Sequence, residues 1–273
     1  MMATVNRESY AAAVEKLTTD TRTATAAQLA TAADEILSVA RLLRGQPRLR
    51  RALTDPSRSG ADRAELVRSL LAGKLGTTAV EAVATLAHGR FSRPAELLDA
   101  VERLGVDTVL AATEKAGELA EVEDELFRFG QVVSGDSELA VTLSDPGASI
   151  DRRVKLVRDL LKGKVRLGTG RLIEMALEGF GGRSFEASLS RLVELTAAKR
   201  DRQVAYVTVA KLLDDAEEQR LAAKLSDIYG RQVSLKVDVD PSIIGGVSVR
   251  VGSDLYDGTI LRRLNEARQA FAK

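Results

Sequence analysis

Through the first two hundred residues, apolar positions recur three and four apart, the spacing that gathers side chains on one face of a helix. In residues 5–17, Tyr10, Ala13, Val14 and Leu17 fall together. From Leu29, the residues Ile36, Val39, Ala40 and Leu43 do the same, and Gly45-Gln46-Pro47 ends the run. After Asp55-Pro56 a helix is predicted with Leu66, Val67, Leu70 and Leu71 inward and a stop at Gly73, followed by two more over 77–88 and 94–104. From Val106 to Leu126 there is no proline, and Gly117 is the one interior glycine. Leu119, Val122, Leu126, Phe129 and Val133 continue as a narrow seam, so one long helix over 106–133 is predicted. Its acidic residues Glu118, Glu121, Glu123, Asp124 and Glu125 read as a solvated face, with an acidic docking surface as the alternative.

Beyond Arg200 the period falls to two. Val204, Tyr206 and Thr208 alternate with Ala205, Val207 and Val209, a β-branched strand. Asp214 and Glu217 have capping-box spacing for a helix lined by Leu221, Leu225 and Ile228 and ended by Gly230. Val233, Leu235 and Val237 form a second strand, broken at Asp240-Pro241 because proline has no N–H for a ladder. Gly245-Gly246 permits a tight re-entry into a third strand, Val247, Val249 and Val251. Gly252-Ser253-Asp254 and Asp257-Gly258 are turn signals, and Thr259 can cap a closing helix carrying Ile260, Leu264, Ala267 and Phe271. This tail reads as a small antiparallel sheet with a helix upon it.

The helical part contains a duplication. Shifted by 90 residues, Leu53-Thr54-Asp55-Pro56 falls on Leu143-Ser144-Asp145-Pro146, Arg63 on Arg153, and Leu66-Val67-Arg68 on Leu156-Val157-Arg158. Leu70-Leu71 and Gly73-Lys74 fall on Leu160-Leu161 and Gly163-Lys164, which makes twelve identities in the 22 positions from 53 to 74. Leu29/Leu119, Asp34/Asp124, Glu35/Glu125, Leu49/Leu139, Gly89/Gly179 and Arg93/Arg183 extend the match. A helical unit therefore occurs twice. The expected fold is mainly α, with two tandem helical bundles over 1–105 and 106–200 and a small α/β domain over 201–273.

Composition removes most chemistry. Forty Lys+Arg against 39 Asp+Glu leave a net charge of +1, and aromatics are 4%, which disfavours a nucleic-acid surface. The absence of cysteine excludes thiol nucleophiles and thiolate metal sites and fits a reducing compartment. No apolar run is long enough to span a bilayer, and no basic-then-apolar leader opens the chain, so an intracellular protein is expected. His88 is the one histidine. Gly73-Lys74-Leu75 fails as a phosphate loop because Leu75 stands where Ser or Thr should hold a metal, and Gly163-Lys164-Val165 fails likewise. Gly168-Thr169-Gly170 follows no strand, and Gly179 to Gly182 reads as a loop. No catalytic, cofactor or metal site is expected.

The tail carries a resemblance. Val239-Asp240-Pro241-Ser242-Ile243-Ile244-Gly245-Gly246, then Val249-Arg250-Val251-Gly252 and Asp257-Gly258-Thr259, closely resembles the C-terminal signature of the delta subunit of F-type ATP synthases, the oligomycin-sensitivity-conferring protein family. Tyr10-Ala11-Ala12-Ala13 and His88-Gly89-Arg90-Phe91 resemble that family's opening helix and its Gly-Arg loop. The resemblance implies a non-catalytic stator subunit of the proton-translocating enzyme, peripheral on the cytoplasmic face of the cell membrane. Its bundle would grip the N-terminal helix of an α subunit, and its small domain would join the b-subunit stalk. The α-subunit helix is expected on the first bundle through Tyr10, Ala13 and Val14, residues that ordinary core packing would explain as well. Asp240, Pro241, Gly245, Gly246, Gly252, Asp257, Gly258 and Thr259 are expected to be structural. The duplicated unit departs from a family that usually has one. A free-standing helical adaptor is the alternative, and an enzyme with a pocket in the small domain the third reading.

Overall fold

The computed structural model describes residues 4–258 apart from 146, 201, 231, 244, 252 and 253. The chain divides into two compact units, Met1–Ser190 and Arg191–Lys273. The first begins with α1 (Thr4–Asp20), α2 (Ala26–Gly45), α3 (Pro47–Leu53), α4 (Gly60–Leu71), α5 (Thr77–His88) and α6 (Pro94–Lys115). It continues with α7 (Leu119–Gly135), α8 (Ser137–Ser144), α9 (Ile150–Leu161) and α10 (Leu167–Leu177), and α11 (Phe185–Lys199) carries the chain across the boundary. Local chemistry sets these ends. Thr25 with Gln28 and Ser59 with Asp62 form reciprocal caps on α2 and α4. Pro47 and Pro94 open α3 and α6, where the missing N–H would have had no partner.

The duplication is visible helix by helix. α3, α4 and α5 start at 47, 60 and 77, and α8, α9 and α10 start at 137, 150 and 167, each 90 later. Glu35 accepts the Gly76 N–H at 3.0 Å, and ninety residues on Glu125 accepts the Arg166 N–H at 2.9 Å. Both carboxylates sit at the start of a helix, where free N–H groups and the helix dipole favour negative charge. α1 starts at 4 and α6 at 94, the same interval. α6 is therefore both the last helix of the first bundle and, by position, the first helix of the second. The boundary expected after residue 105 falls inside it.

That double duty explains its burial. Leu97, Val101, Leu104, Val106, Val109 and Leu110 are all buried, and they cover more than one face of α6. α2 lies along it so closely that a Cβ on Gly105 would come 2.5 Å from Leu37 Cδ2. In the first bundle Ala13, Leu17, Ile36, Leu43, Leu53, Val67, Leu86 and Leu97 share one core.

The single helix expected over 106–133 is two helices. Gly117 has φ +74, and the N–H groups of Gly117 and Glu118 close back on the carbonyls of Glu114 and Thr113 at 3.0 Å each, a left-handed glycine stop. The seam itself holds, since Leu119, Val122, Leu126, Phe129 and Val133 are the buried apolar residues of α7. The acidic face does not hold throughout: Glu123 is fully buried and Glu125 is the helix-start acceptor just described.

The second unit contains β1 (Arg202–Val209), α12 (Asp215–Tyr229), β2 (Gln232–Val239), β3 (Val247–Val251) and β4 (Asp254–Asp257). The strand order is β2-β1-β3-β4. The wholly antiparallel reading is corrected: β1 and β2 run parallel, Ala205 opposite Leu235, because α12 supplies the crossover that parallel strands require. β3 pairs antiparallel with β1, Val207 opposite Val249. β4 pairs antiparallel with β3, Val251 opposite Asp254, as an additional edge strand. Ala205, Val207, Val209, Leu225, Val233, Val249 and Val251 form the core. The Asp214–Glu217 capping box is present, but Ile228 is 65% exposed instead of lining the helix. The predicted closing helix with Ile260, Leu264, Ala267 and Phe271 lies outside the described residues.

Two substitutions test these features. Gly105→Val should drive α2 from α6 and destabilise the first unit by about 1–3 kcal/mol, as overpacking does; an unchanged urea midpoint would contradict the close crossing. Gly246 has φ +89, a region that a β-branched residue strongly disfavours. Gly246→Val should lower the melting temperature by a loss of about 1–3 kcal/mol, and an unaltered melting curve would show that the backbone there can relax.

Candidate partner-binding surfaces

On α1 the three residues singled out from the sequence meet different fates. Ala13 is fully buried in the first bundle's core, while Tyr10 and Val14 are half-buried against it. Tyr10 Oη donates to Asp107 Oδ2 at 2.5 Å, and Arg103 Nε donates to Asp107 Oδ1 at 2.8 Å. Burial pushes the Tyr10 phenol well above its ordinary range, and the Asp107 charge adds to this. The tyrosine is thus a neutral donor that fixes α1 on α6. Of the three, Val14 is the side chain with apolar surface left to offer near solvent.

The Gly-Arg loop is held from inside. Arg63, 3% exposed, donates to the carbonyls of Ala87 at 3.0 Å, His88 at 3.1 Å and Gly89 at 2.9 Å, and to those of Asp55 at 3.1 Å and Arg58 at 2.6 Å. Five main-chain carbonyls accept from one buried guanidinium and tie α4 to the end of α5. His88 is exposed, and its carbonyl serves this staple.

The two copies are joined by ion pairs that the sequence reading missed. Arg44 on α2 bonds Glu102 on α6 at 2.6 Å and also pairs with Glu178 just after α10. Arg41 bonds Glu178 at 2.6 Å, and Arg171 makes a bidentate pair with Asp34 at 2.5 and 2.7 Å. Glu102 also accepts the Gly181 N–H at 2.8 Å from the 3₁₀ turn Phe180–Gly182, so the glycine cluster read as a loop is a fastening. The available signal was Glu102 within the apolar stripe of α6, one residue from Val101 and four from Val106. Beside this network lies a cleft of about 860 Å³ between α2, α9 and α10.

In the second unit the signature residues form a turn. Asp240 N–H donates to the Val209 carbonyl at 2.9 Å, and its carboxylate accepts the Ser242 N–H at 2.9 Å. The hydrogen bonds from Ser242 hold the Asp240 carboxyl below its ordinary range. Pro241 occupies the turn, and Gly245 (φ +153) and Gly246 (φ +89) lead into β3. Gly258 N–H closes on the Val247 carbonyl at 2.9 Å, and Asp257 stands opposite Ser248 in the β3–β4 register. Gly252 and Thr259 lie outside the described residues. Among the described residues no cluster could hold a metal ion, and no helix is long and apolar enough to cross a membrane.

The profile of the family described as ATP synthase delta (OSCP) subunit matches residues 106–271, from within α6 onward. The ATP synthase subunit delta of Salinispora arenicola is 61% identical over 273 residues, covering 100% of both chains. That of Salinispora tropica is 59% identical over 100% of both. That of Streptomyces griseus is 44% identical over 99% of this chain and 100% of its own.

Glu102 makes the network sensitive to pH. Burial raises its carboxyl above the ordinary 4.5, and the Gly181 N–H and Arg44 partly oppose that rise. Between the ordinary and the raised value the folded state binds more protons than the unfolded one. The contribution of Glu102 is therefore fully present below the ordinary value and is lost as pH rises through the raised one. The urea-unfolding free energy of the wild type relative to Glu102→Gln should fall across that window. A difference that stays constant with pH would show that Glu102 does not titrate there.

Proposed function

This chain belongs to the ATP synthase delta (OSCP) subunit family, and we propose that it works as a stator of the F-type ATP synthase, holding the catalytic head against the torque of the rotor. The observation that carries this reading is 61% identity, end to end, with an ATP synthase subunit delta. A stator needs stiff elements with surfaces for neighbours and no chemistry, and the two bundles locked through α6 meet that need. The subunit is non-catalytic and is a peripheral component of a membrane-associated complex, at the cytoplasmic face in this reading. No observation favours a free-standing adaptor.

The helical segments 1–105 and 106–200 would meet the head, through the N-terminal helix of an α subunit. Segment 201–273 would join the b-subunit stalk. An amphipathic helix lying in a groove of a bundle is a common recognition mode. On the first bundle, Tyr10 and Val14 mark the face of α1 that such a helix would extend, with Ala13 as the packing beneath. A second reading places the α-subunit helix on the second bundle, because the family profile begins at Val106 and takes in that copy.

The experiment is calorimetry of the full chain with a peptide of the α-subunit N-terminus. Val14→Asp should weaken binding by at least about 2 kcal/mol, the order expected for an unpaired charge placed in an apolar contact, with circular dichroism confirming the fold. Unchanged affinity would move the docking site to the second bundle. Failure of the chain to co-purify with the ATP synthase head would overturn the stator assignment itself.

A further inference from the structure

The two copies seat their fourth helices differently. Gly60, Arg63, Ala64, Val67 and Leu71 of α4 are matched ninety residues on by Ile150, Arg153, Val154, Val157 and Leu161 of α9. α4 comes so close to the end of α5 that a Cβ on Gly60 would lie 2.5 Å from the His88 carbonyl oxygen, and Ala64, four residues on, is buried. At those two positions α9 carries the β-branched Ile150 and Val154, while Ala84, Ala87 and His88 give way to the longer Glu174, Leu177 and Glu178. α9 therefore stands off. The cleft lined by Ile150, Val154, Glu174 and Leu177 measures about 860 Å³, against about 420 Å³ for the one lined by Ala64, Ala84 and His88. The matched arginines repeat the contrast. Arg63 has five carbonyl acceptors, whereas Arg153 has one, the Leu143 carbonyl at 2.9 Å, and its Nε is sealed from solvent with no acceptor. Gly89 has φ −68 and turns its carbonyl to Arg63. Its counterpart Gly179 has φ +82, and its carbonyl accepts the Gly182 N–H at 2.9 Å instead.

Little holds α9 in place. Val157 is its one buried residue, where α4 buries Arg63, Ala64, Val67 and Leu71. Its bidentate pair from Arg158 to Glu174, at 2.6 and 2.7 Å, starts from an exposed arginine, and such pairs contribute little. A buried guanidinium N–H without an acceptor is costly, and the cost is relieved when the helix opens. Elements with few buried side chains open well below the free energy of global unfolding. We propose that α9 is a strap that swings off α10 in the native chain while its counterpart α4 stays shut, so that the duplicated unit has one rigid copy and one compliant copy. The joint between the copies survives the motion, because Arg41, Arg44 and Arg171 pair with Glu178, Glu102 and Asp34, and none of these lies on α9. The motion belongs to the chain itself and holds whether or not the chain acts as a stator.

The chain has no cysteine, so a single thiol can report the motion. Val67 and Val157 are matched in the repeat and equally buried, each 1% exposed. Val67→Cys and Val157→Cys are made separately in the full chain, and labelling by iodoacetamide is timed under native conditions. A thiol sealed in the closed state labels in proportion to the open population, so position 157 should react about a hundredfold faster than position 67, or more. Giving α4 the face of α9, through Gly60→Ile with Ala64→Val, should overpack the α4–α5 contact and speed labelling at 67 about tenfold or more. Labelling at 157 should not change. Equal rates at 67 and 157, a rise at both positions, or no rise at 67 overturns the proposal. Hydrogen exchange of the unsubstituted chain makes the same comparison without a thiol, should either cysteine variant fail to fold. The amides of α9 should then exchange about a hundredfold faster than those of α4, and equal protection overturns the proposal.

Discussion

One helix must satisfy two hydrophobic cores, and the first unit is built around that demand. α6 closes the bundle that α1 opens, and it stands in the second copy where α1 stands in the first. A helix with a single buried stripe could not do both. α6 is apolar over more than one face, with Gly105 placed where α2 must approach. The sharing also removes slack: a hinge between tandem modules needs a linker whose backbone is exposed, and here the link is buried. A part that resists torque gains from this arrangement, because relative rotation of the copies would have to open a packed core.

Charge reinforces the same joint. Glu102, Arg44, Glu178 and Arg41 form a chain of pairs running from one copy to the other, largely out of solvent at its acidic members. Such networks add little net stability over an apolar replacement, but breaking one is expensive, so they fix geometry more than they add free energy. Duplication produced the two bundles, and these residues are where the copies ceased to be equivalent. Glu81 of the first copy pairs with Arg68 at 2.8 Å, whereas Arg171, ninety residues later, reaches back to Asp34 instead.

Other features were kept or lost one at a time. The carboxylate at the start of the fifth helix was retained as Glu35 and Glu125, since four free N–H groups are a constant of every helix start. The arginine staple was retained in sequence and lost in geometry, because its acceptors are main-chain carbonyls whose direction depends on a neighbouring loop. In the second unit, the Asp240 turn and the paired glycines return the chain to β1 as an antiparallel neighbour, and α12 provides the parallel crossover on the other side. That division allows a sheet of four short strands to bury one face with only one helix laid on it among the described residues.

Periodicity, caps and the ninety-residue repeat were enough to identify most helices, the seam of α7, the α12 capping box and the change to a small sheet, because each depends on neighbours within a few residues or on identity at a fixed shift. The family resemblance was likewise written in the tail, as turn residues whose backbone demands are local. Three features depended on the fold. Gly117 ends a helix instead of lying within one, since α7 must turn to start a second core. Glu123 is buried although its sequence neighbourhood is acidic, because other helices cover it. Arg63 and Arg153 are the same residue in the same motif, and only the path of the loop beyond each fifth helix decides which is satisfied from within: a main-chain carbonyl can accept one way or another, and its direction is set by packing far along the chain.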